Sequence, residues 1–158
     1  MTWPAAASFR TPVAGSASPP ANSTPPGSEP AVLEELVLDQ INAVRALHGL
    51  PSLAAATELT AAARRHSADM AAHAFLDHTG SDGSSFTQRI TEAGYGWSRA
   101  GEIVAKGYPD AAAVVLGWMN SPDHRAIIMT PDYRDVGAGV ARGADGALYW
   151  TVDFGARR

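Results

Sequence analysis

Val136-Gly137-Ala138-Gly139-Val140-Ala141 and Leu148-Tyr149-Trp150-Thr151-Val152-Asp153-Phe154, joined by Gly143-Ala144-Asp145-Gly146, decide the fold class of this chain. Leu148, Trp150, Val152 and Phe154 alternate with Tyr149, Thr151 and Asp153, a period of two that reads as a strand, and the Gly-Asp-Gly turn makes the pair a β-hairpin. Everything ahead of the hairpin is helical or loop-like. Helices followed by an antiparallel hairpin, without the alternation that a parallel sheet needs, give an α+β fold in which helices cover a small antiparallel sheet.

Working back toward the N-terminus, Ser121-Pro122-Asp123 restarts a helical turn that carries His124, with the Ser121 hydroxyl expected to cap it. A helix opened by Pro109-Asp110 runs through Val114, Val115 and Trp118. Ser85 with Gln88 three residues on predicts a capping box for a short helix that Gly94 closes, and residues 95–101 read as a loop into Glu102-Ile103-Val104-Ala105. Two longer helices come first. Leu33, Val37, Ile41, Val44 and Leu47 place one over 31–48, and Leu59, Ala62, Ala63, Met70 and Phe75 place another over 59–76. His78 then falls just past a helix C-terminus, where the dipole favours a cationic ring.

The first 30 residues are different in kind. Of these, 23 are Ala, Ser, Thr, Pro or Gly, and 7 of the 11 prolines lie there, too little apolar surface to offset the entropy of ordering. Residues 1–30 read as a tether ahead of a folded domain over 31–158. Such spacers suit proteins held at or released from a cell surface, although the stretch lacks the basic, apolar and small-residue zones of a signal peptide. The Asn22-Ser23-Thr24 sequon is a chance match in low-complexity sequence.

Composition narrows the function classes. The 158 residues are 46% hydrophobic and carry a net charge of −4, with 12 basic against 16 acidic residues and no run of either sign. That removes the electrostatic footprint of a nucleic-acid or anionic-membrane partner. The absence of cysteine removes disulfides, thiolate nucleophiles and Cys-ligated zinc. No apolar run reaches membrane-spanning length, Ala111 to Met119 being the best candidate.

Five strings, taken in order, carry a resemblance: Ile41-Asn42-Ala43-Val44-Arg45, His78-Thr79-Gly80-Ser81-Asp82-Gly83, Gly101-Glu102-Ile103-Val104-Ala105, Gly117 to Arg125, and Tyr149 to Gly155. Together they resemble the bacterial SCP-domain branch of the CAP superfamily, which includes cysteine-rich secretory proteins, antigen 5 and plant pathogenesis-related 1 proteins. The resemblance implies a three-layer α-β-α sandwich and a central cleft lined by two His and two acids. It places His78, Glu102 and His124 at three of the four positions, as ligands suited to zinc or another divalent metal. At the fourth position the chain reads Asn120-Ser121 instead of Glu, and Ile103 replaces the usual Asn after Glu102.

Asn120, Ser121 and Trp118 are then expected to line the cleft, with core packing as the other reading of Trp118, and the reduced ligand set implies weak, pH-dependent metal occupancy. Glu102 has a second reading, as a buried acid whose hydrogen bonds hold the 95–101 loop. His48 reads as a C-terminal helix cap, and His66 and His73, flanking Met70 at helical spacing, as core or rim residues.

The resemblance implies a secreted or cell-envelope monomer whose cleft binds a small molecule, a lipid or a cell-wall fragment without turnover. A metal-assisted hydrolase with Glu102 as general base is the alternative from a different class, weakened by the lack of a His-Glu-x-x-His helix. An envelope interaction protein with a vestigial cleft is the third.

Overall fold

The structure is a computed structural model that describes residues 28–158. Five helices and four strands follow the order α1 (Ser28–Leu47), β1 (Ala54–Ala55), α2 (Thr57–His73), α3 (Phe86–Glu92), β2 (Trp97–Lys106), α4 (Ala111–Met119), α5 (Pro122–Ile128), β3 (Asp135–Arg142) and β4 (Leu148–Arg157). The first helix starts at Ser28, so residues 28–30 of the expected tether belong to it. The rest of that tether and the Asn22 sequon lie outside the described residues.

The hairpin is the centre of the sheet, whose strand order is β1-β3-β4-β2. β2 pairs antiparallel with β4, bringing Glu102 opposite Asp153 and Ile103 opposite Val152. The expected loop over 95–101 is mostly strand: β2 begins at Trp97, and a register shift between Trp97 and Arg99 bends its start. A two-residue parallel edge, Ala54 and Ala55 beside Asp135 and Val136, makes the sheet mixed rather than purely antiparallel.

The period of two in β4 separates two differently built layers. Trp150, Val152 and Phe154 join Ile103, Ala105, Val136, Ala138 and Val140 in an apolar core closed by Val37 and Ile41 of α1 and by α4 and α5. The opposite row, Tyr149, Thr151 and Asp153, is equally buried, because α2 lies over it. The result is the expected α-β-α sandwich, with both faces of the sheet covered.

The α2 layer is close because β3 carries glycine where the helix crosses. A Cβ at Gly137 would run into the backbone of Leu59 and Thr60, and one at Gly139 into that of Ala63 and Arg64. Ser67 Oγ donates to Gly139 O at 2.8 Å across the contact. The helix itself ends earlier than its pattern suggests, at His73, where Ala74 takes a left-handed conformation with φ 51°.

Two residues of the first family-like string hook α1 to its surroundings. Asn42 exchanges two hydrogen bonds with the Leu53 backbone, at 3.1 and 2.8 Å. The buried Arg45 guanidinium donates to Pro51 O at 3.0 Å, Ile128 O at 2.8 Å and Thr130 O at 2.9 Å. Of the expected capping box the Ser85 half forms, its Oγ accepting from Gln88 N at 3.1 Å, while the Gln88 amide donates to Glu92 Oε1 at 3.1 Å; the His48 cap forms, with Nδ1 2.8 Å from Val44 O.

Gly139→Ala is expected to cost about 3 kcal/mol, the upper end of the overpacking range, because its Cβ meets helix backbone rather than a movable side chain. Urea denaturation of the variant against wild type measures it. A loss below ~0.5 kcal/mol would mean that α2 does not sit on the hairpin this closely.

Candidate functional site

Glu102 sits in the middle of β2 and is 2% exposed. Strand alternation turns it toward α2, into the same layer as Asp153, its register partner on β4. Arg89 reaches the pair from α3, itself 1% exposed, and its Nη2 lies 3.2 and 3.0 Å from the two Glu102 oxygens. The same guanidinium donates to Ser84 O and His78 O at 2.8 Å each, tying the 78–84 segment to the site.

His78 completes the front of this cluster. Its Nδ1 stands 3.0 Å from Glu102 Oε1, and its side chain is 53% exposed, so Nδ1–H donates inward and leaves Nε2 facing solvent. The Glu102 hydrogen bond raises the His78 pKa above its ordinary value, against the opposing effect of burial. Glu102, rather than the helix dipole, is therefore what favours the cation: α2 ends five residues earlier. At the back, the fully buried His66 donates from Nε2 to Asp77 O at 2.6 Å and lies 4.0 Å from Glu102 Oε1. Burial pushes its pKa down, which keeps the ring neutral.

Two carboxyls and one guanidinium cannot all be accommodated as ions. Burial and then the Glu102 charge push Asp153 well above the usual carboxylate range. For Glu102 burial acts upward too, but the hydrogen bonds from His78 and Asp153 and the Arg89 charge outweigh it and hold the group below its ordinary value. Neither Asp153 oxygen meets an N–H or O–H among the described residues, so nothing there favours its ionised form. Of the two, Glu102 is held as the anion and Asp153 keeps its proton to higher pH.

The remaining expected site residues are distributed differently. His124 Nδ1 bonds Ser121 Oγ at 2.8 Å, not His78 or Glu102. Ser121 therefore makes no side-chain cap for α5, contrary to the expectation from Pro122, because its hydroxyl is turned to the imidazole. Asn120 is the exposed C-cap of α4. Trp118, expected to line the cleft, is instead 2% exposed in the main core, where its indole N–H donates to Val104 O at 3.2 Å. Among the described residues no group of three or more His, Asp or Glu is disposed to hold a metal ion, and both Glu102 oxygens already face Arg89.

Arg89 and Asp153 are the members that sequence reasoning missed. Asp153 had a signal, since it shares strand phase with Tyr149 and Thr151. Arg89 had none beyond lying in a correctly predicted short helix. Of the helix-two trio, His66 and Met70 are buried as core, while His73 is exposed and bonds Asp69 O at 3.0 Å.

An α-β-α sandwich of this topology, with a His and Glu joined at the mouth of its polar layer, defines the class of fold. The chain belongs to the cysteine-rich secretory protein (CAP) family, whose model matches residues 38–154. It is 34% identical over 121 residues to the membrane protein YlbC of Bacillus subtilis strain 168, covering 77% of this chain and 34% of that protein. With YkwD of the same organism it shares 32% identity over 127 residues, covering 80% and 48%. The chain thus spans between a third and a half of the length of these curated relatives.

Among solved structures it is similar to an extracellular SCP-domain protein of Bacillus anthracis, with a TM-score of 0.73, 26% identity, and 82% and 41% of the two chains covered. An outer surface protein of Borrelia burgdorferi has the same fold, at TM-score 0.73 and 24% identity, covering 78% and 92%.

Two outcomes follow from the cluster. Arg89→Met leaves the Glu102 charge buried without its cation and is expected to cost ~3–5 kcal/mol, whereas Asp153→Asn, which cannot ionise when the chain unfolds, is expected to be at least as stable as wild type near pH 7. Because the folded Asp153 pKa is raised, its contribution is full below about 3.8 and is lost as pH rises through the folded value; Asp153→Asn removes that dependence. Equilibrium unfolding across pH checks both, and equal costs for the two variants would contradict this division of charge.

For His78, an NMR titration should place the midpoint above 6.5 in wild type and lower it in Glu102→Gln. The stability that this pair supplies is complete below 6.5 and disappears as pH rises through the folded midpoint.

Proposed function

We propose that this chain is an extracellular binding module: a CAP-family cleft, bordered by His78 on one side and Ser121 and His124 on the other, that holds a small ligand or cell-wall fragment without turning it over. The observation that carries the reading is the commitment of Glu102. With Arg89 on both oxygens, His78 on one and only 2% of the residue exposed, the carboxylate has no accessible lone pair with which to activate water.

His78 is the group left to meet a ligand. The outward Nε2 accepts a hydrogen bond when the ring is neutral and donates one when it is cationic, so recognition depends on pH near neutrality. Ser121 and His124 offer a second polar contact, but no acid orients His124 among the described residues, which separates the pair from a hydrolytic triad. The extracellular setting follows the Bacillus anthracis relative, described as extracellular. Glu102 could join His78 and His124 as a zinc ligand only by leaving Arg89 and turning outward, an uncompensated buried cation being the cost.

Soluble muropeptides from digested cell wall serve as the test ligand. Saturable amide shifts at His78, Ser121 and His124, with no new product by mass spectrometry after long incubation, are expected. Product formed by wild type and lost in Glu102→Gln would replace binding with hydrolysis. Calorimetric zinc titration at about pH 7.5 and about pH 5.5 on wild type and His78→Ala/His124→Ala should give equal heats; binding confined to wild type and weakened at the lower pH would restore the metal site.

A further inference from the structure

The Ser121–His124 side of the cleft is carried by α5, a seven-residue helix too short to hold its own position. Its apolar anchor is Ile128, buried in the main core. Apolar burial is non-directional, so it leaves the turn of the helix about its own axis to be set by something else.

What sets it comes from α1. Arg45 is fully buried, and its Nη1 donates to Ile128 O at 2.8 Å, at the end of α5, and to Thr130 O at 2.9 Å, just past it. Its Nε donates to Pro51 O at 3.0 Å, so one side chain joins α1, the segment after it and α5. The hydrogen-bond partners are all carbonyls, and the charge acting on the guanidinium, that of Arg134, has the same sign. A buried cation in this setting carries a desolvation cost that an apolar side chain of similar length would not. One of its nitrogens, Nη2, has no partner among the described residues. What the guanidinium supplies is direction: a planar fork with donors at fixed angles, aimed where the α5 dipole is negative.

His124 stands one turn before Ile128, on the same side of α5, so fixing the Ile128 carbonyl fixes the direction of the imidazole. A second contact lies beside it. His48 Nδ1 donates to Val44 O, which leaves Nε2 to accept from Arg125 Nη2 at 3.2 Å. The other wall of the cleft is held separately, by Arg89 donating to His78 O at 2.8 Å.

We propose that Arg45 is the positioning residue for the Ser121–His124 side of the cleft, orienting α5 through the Ile128 and Thr130 carbonyls while touching no ligand itself. Each wall then has its own buried arginine, and loss of Arg45 disturbs one wall alone. The inference rests on the cleft reading for its ligand; the orientation of His124 is tested without one.

Arg45→Lys keeps the cation and loses the fork, and Arg45→Met loses both. In ligand-free NMR of the full chain, Ser121, Asp123 and His124 signals should move in both variants, further in Arg45→Met, with His78 and Glu102 signals unmoved. Amide protection in α5 should fall at least ~10-fold more than in the β3–β4 hairpin. With muropeptides, the variants should keep the shift at His78 and lose it at His124. An equal loss of protection in α5 and the hairpin, or equal changes at His78 and His124, overturns the proposal, since Arg45 would then support the fold as a whole. Wild type provides a check that needs no variant: the Arg45 guanidinium should give separate Nη1 and Nη2 nitrogen signals, and a single averaged signal contradicts a fixed fork. If muropeptides shift nothing in wild type, the cleft reading fails, while the ligand-free comparison still decides whether Arg45 orients α5.

Discussion

The Arg89 guanidinium is buried against Glu102, and the polar layer of the sandwich is organised around that contact. One cation faces two acids in a region that excludes water, and the strong coupling of charges there decides the protonation of both. Glu102 keeps its charge because Arg89 and His78 address it directly; Asp153, which neither touches, is pushed well above the usual carboxylate range by burial and by the Glu102 charge. The same guanidinium binds the His78 and Ser84 carbonyls, so the loop after α2 is positioned by the charge pair it helps to enclose. A seven-residue helix such as α3 is marginal by itself. Its Ser85 cap, buried Ile90 and inward Arg89 make it part of the core.

That layer exists because α2 can approach the sheet closely. Gly137 and Gly139 remove the side chains that would hold the helix away, and Ser67, Thr151, His66 and Asp153 are buried in that layer beside Leu59, Met70 and Tyr149. The opposite face is built in the ordinary way, with Trp118, Trp150, Val152 and Phe154 in one apolar core. The largest apolar core lies on one side of the sheet, and the Arg89, Glu102, Asp153 and His66 cluster lies on the other.

The hairpin, the two long helices and both side-chain caps at Ser85 and His48 were legible because periodicity and capping are local. The failures have longer-range causes. The β1 edge is two residues whose strand character comes only from β3, and the 97–101 stretch becomes strand by pairing with the end of β4. Ser121 looked like a cap, yet its hydroxyl goes to His124; Trp118 looked available to the cleft, yet its indole is satisfied by Val104 O. His78 with Glu102 was legible through the family-like strings. Their buried partners were not, since the meeting of Arg89, Glu102 and Asp153 depends on the registry of two strands and the placement of α3.

His78 is braced from within the fold by Glu102, which Arg89 holds in turn, with Asp153 behind it. The central claim is that Glu102 and Asp153 hold one proton between them near neutral pH. Carbon-13 NMR of the two side-chain carboxyls, assigned with the Asp153→Asn variant, measures this directly. The account predicts an ionised Glu102 signal and a protonated Asp153 signal at about pH 7; two ionised carboxyls at that pH would contradict it.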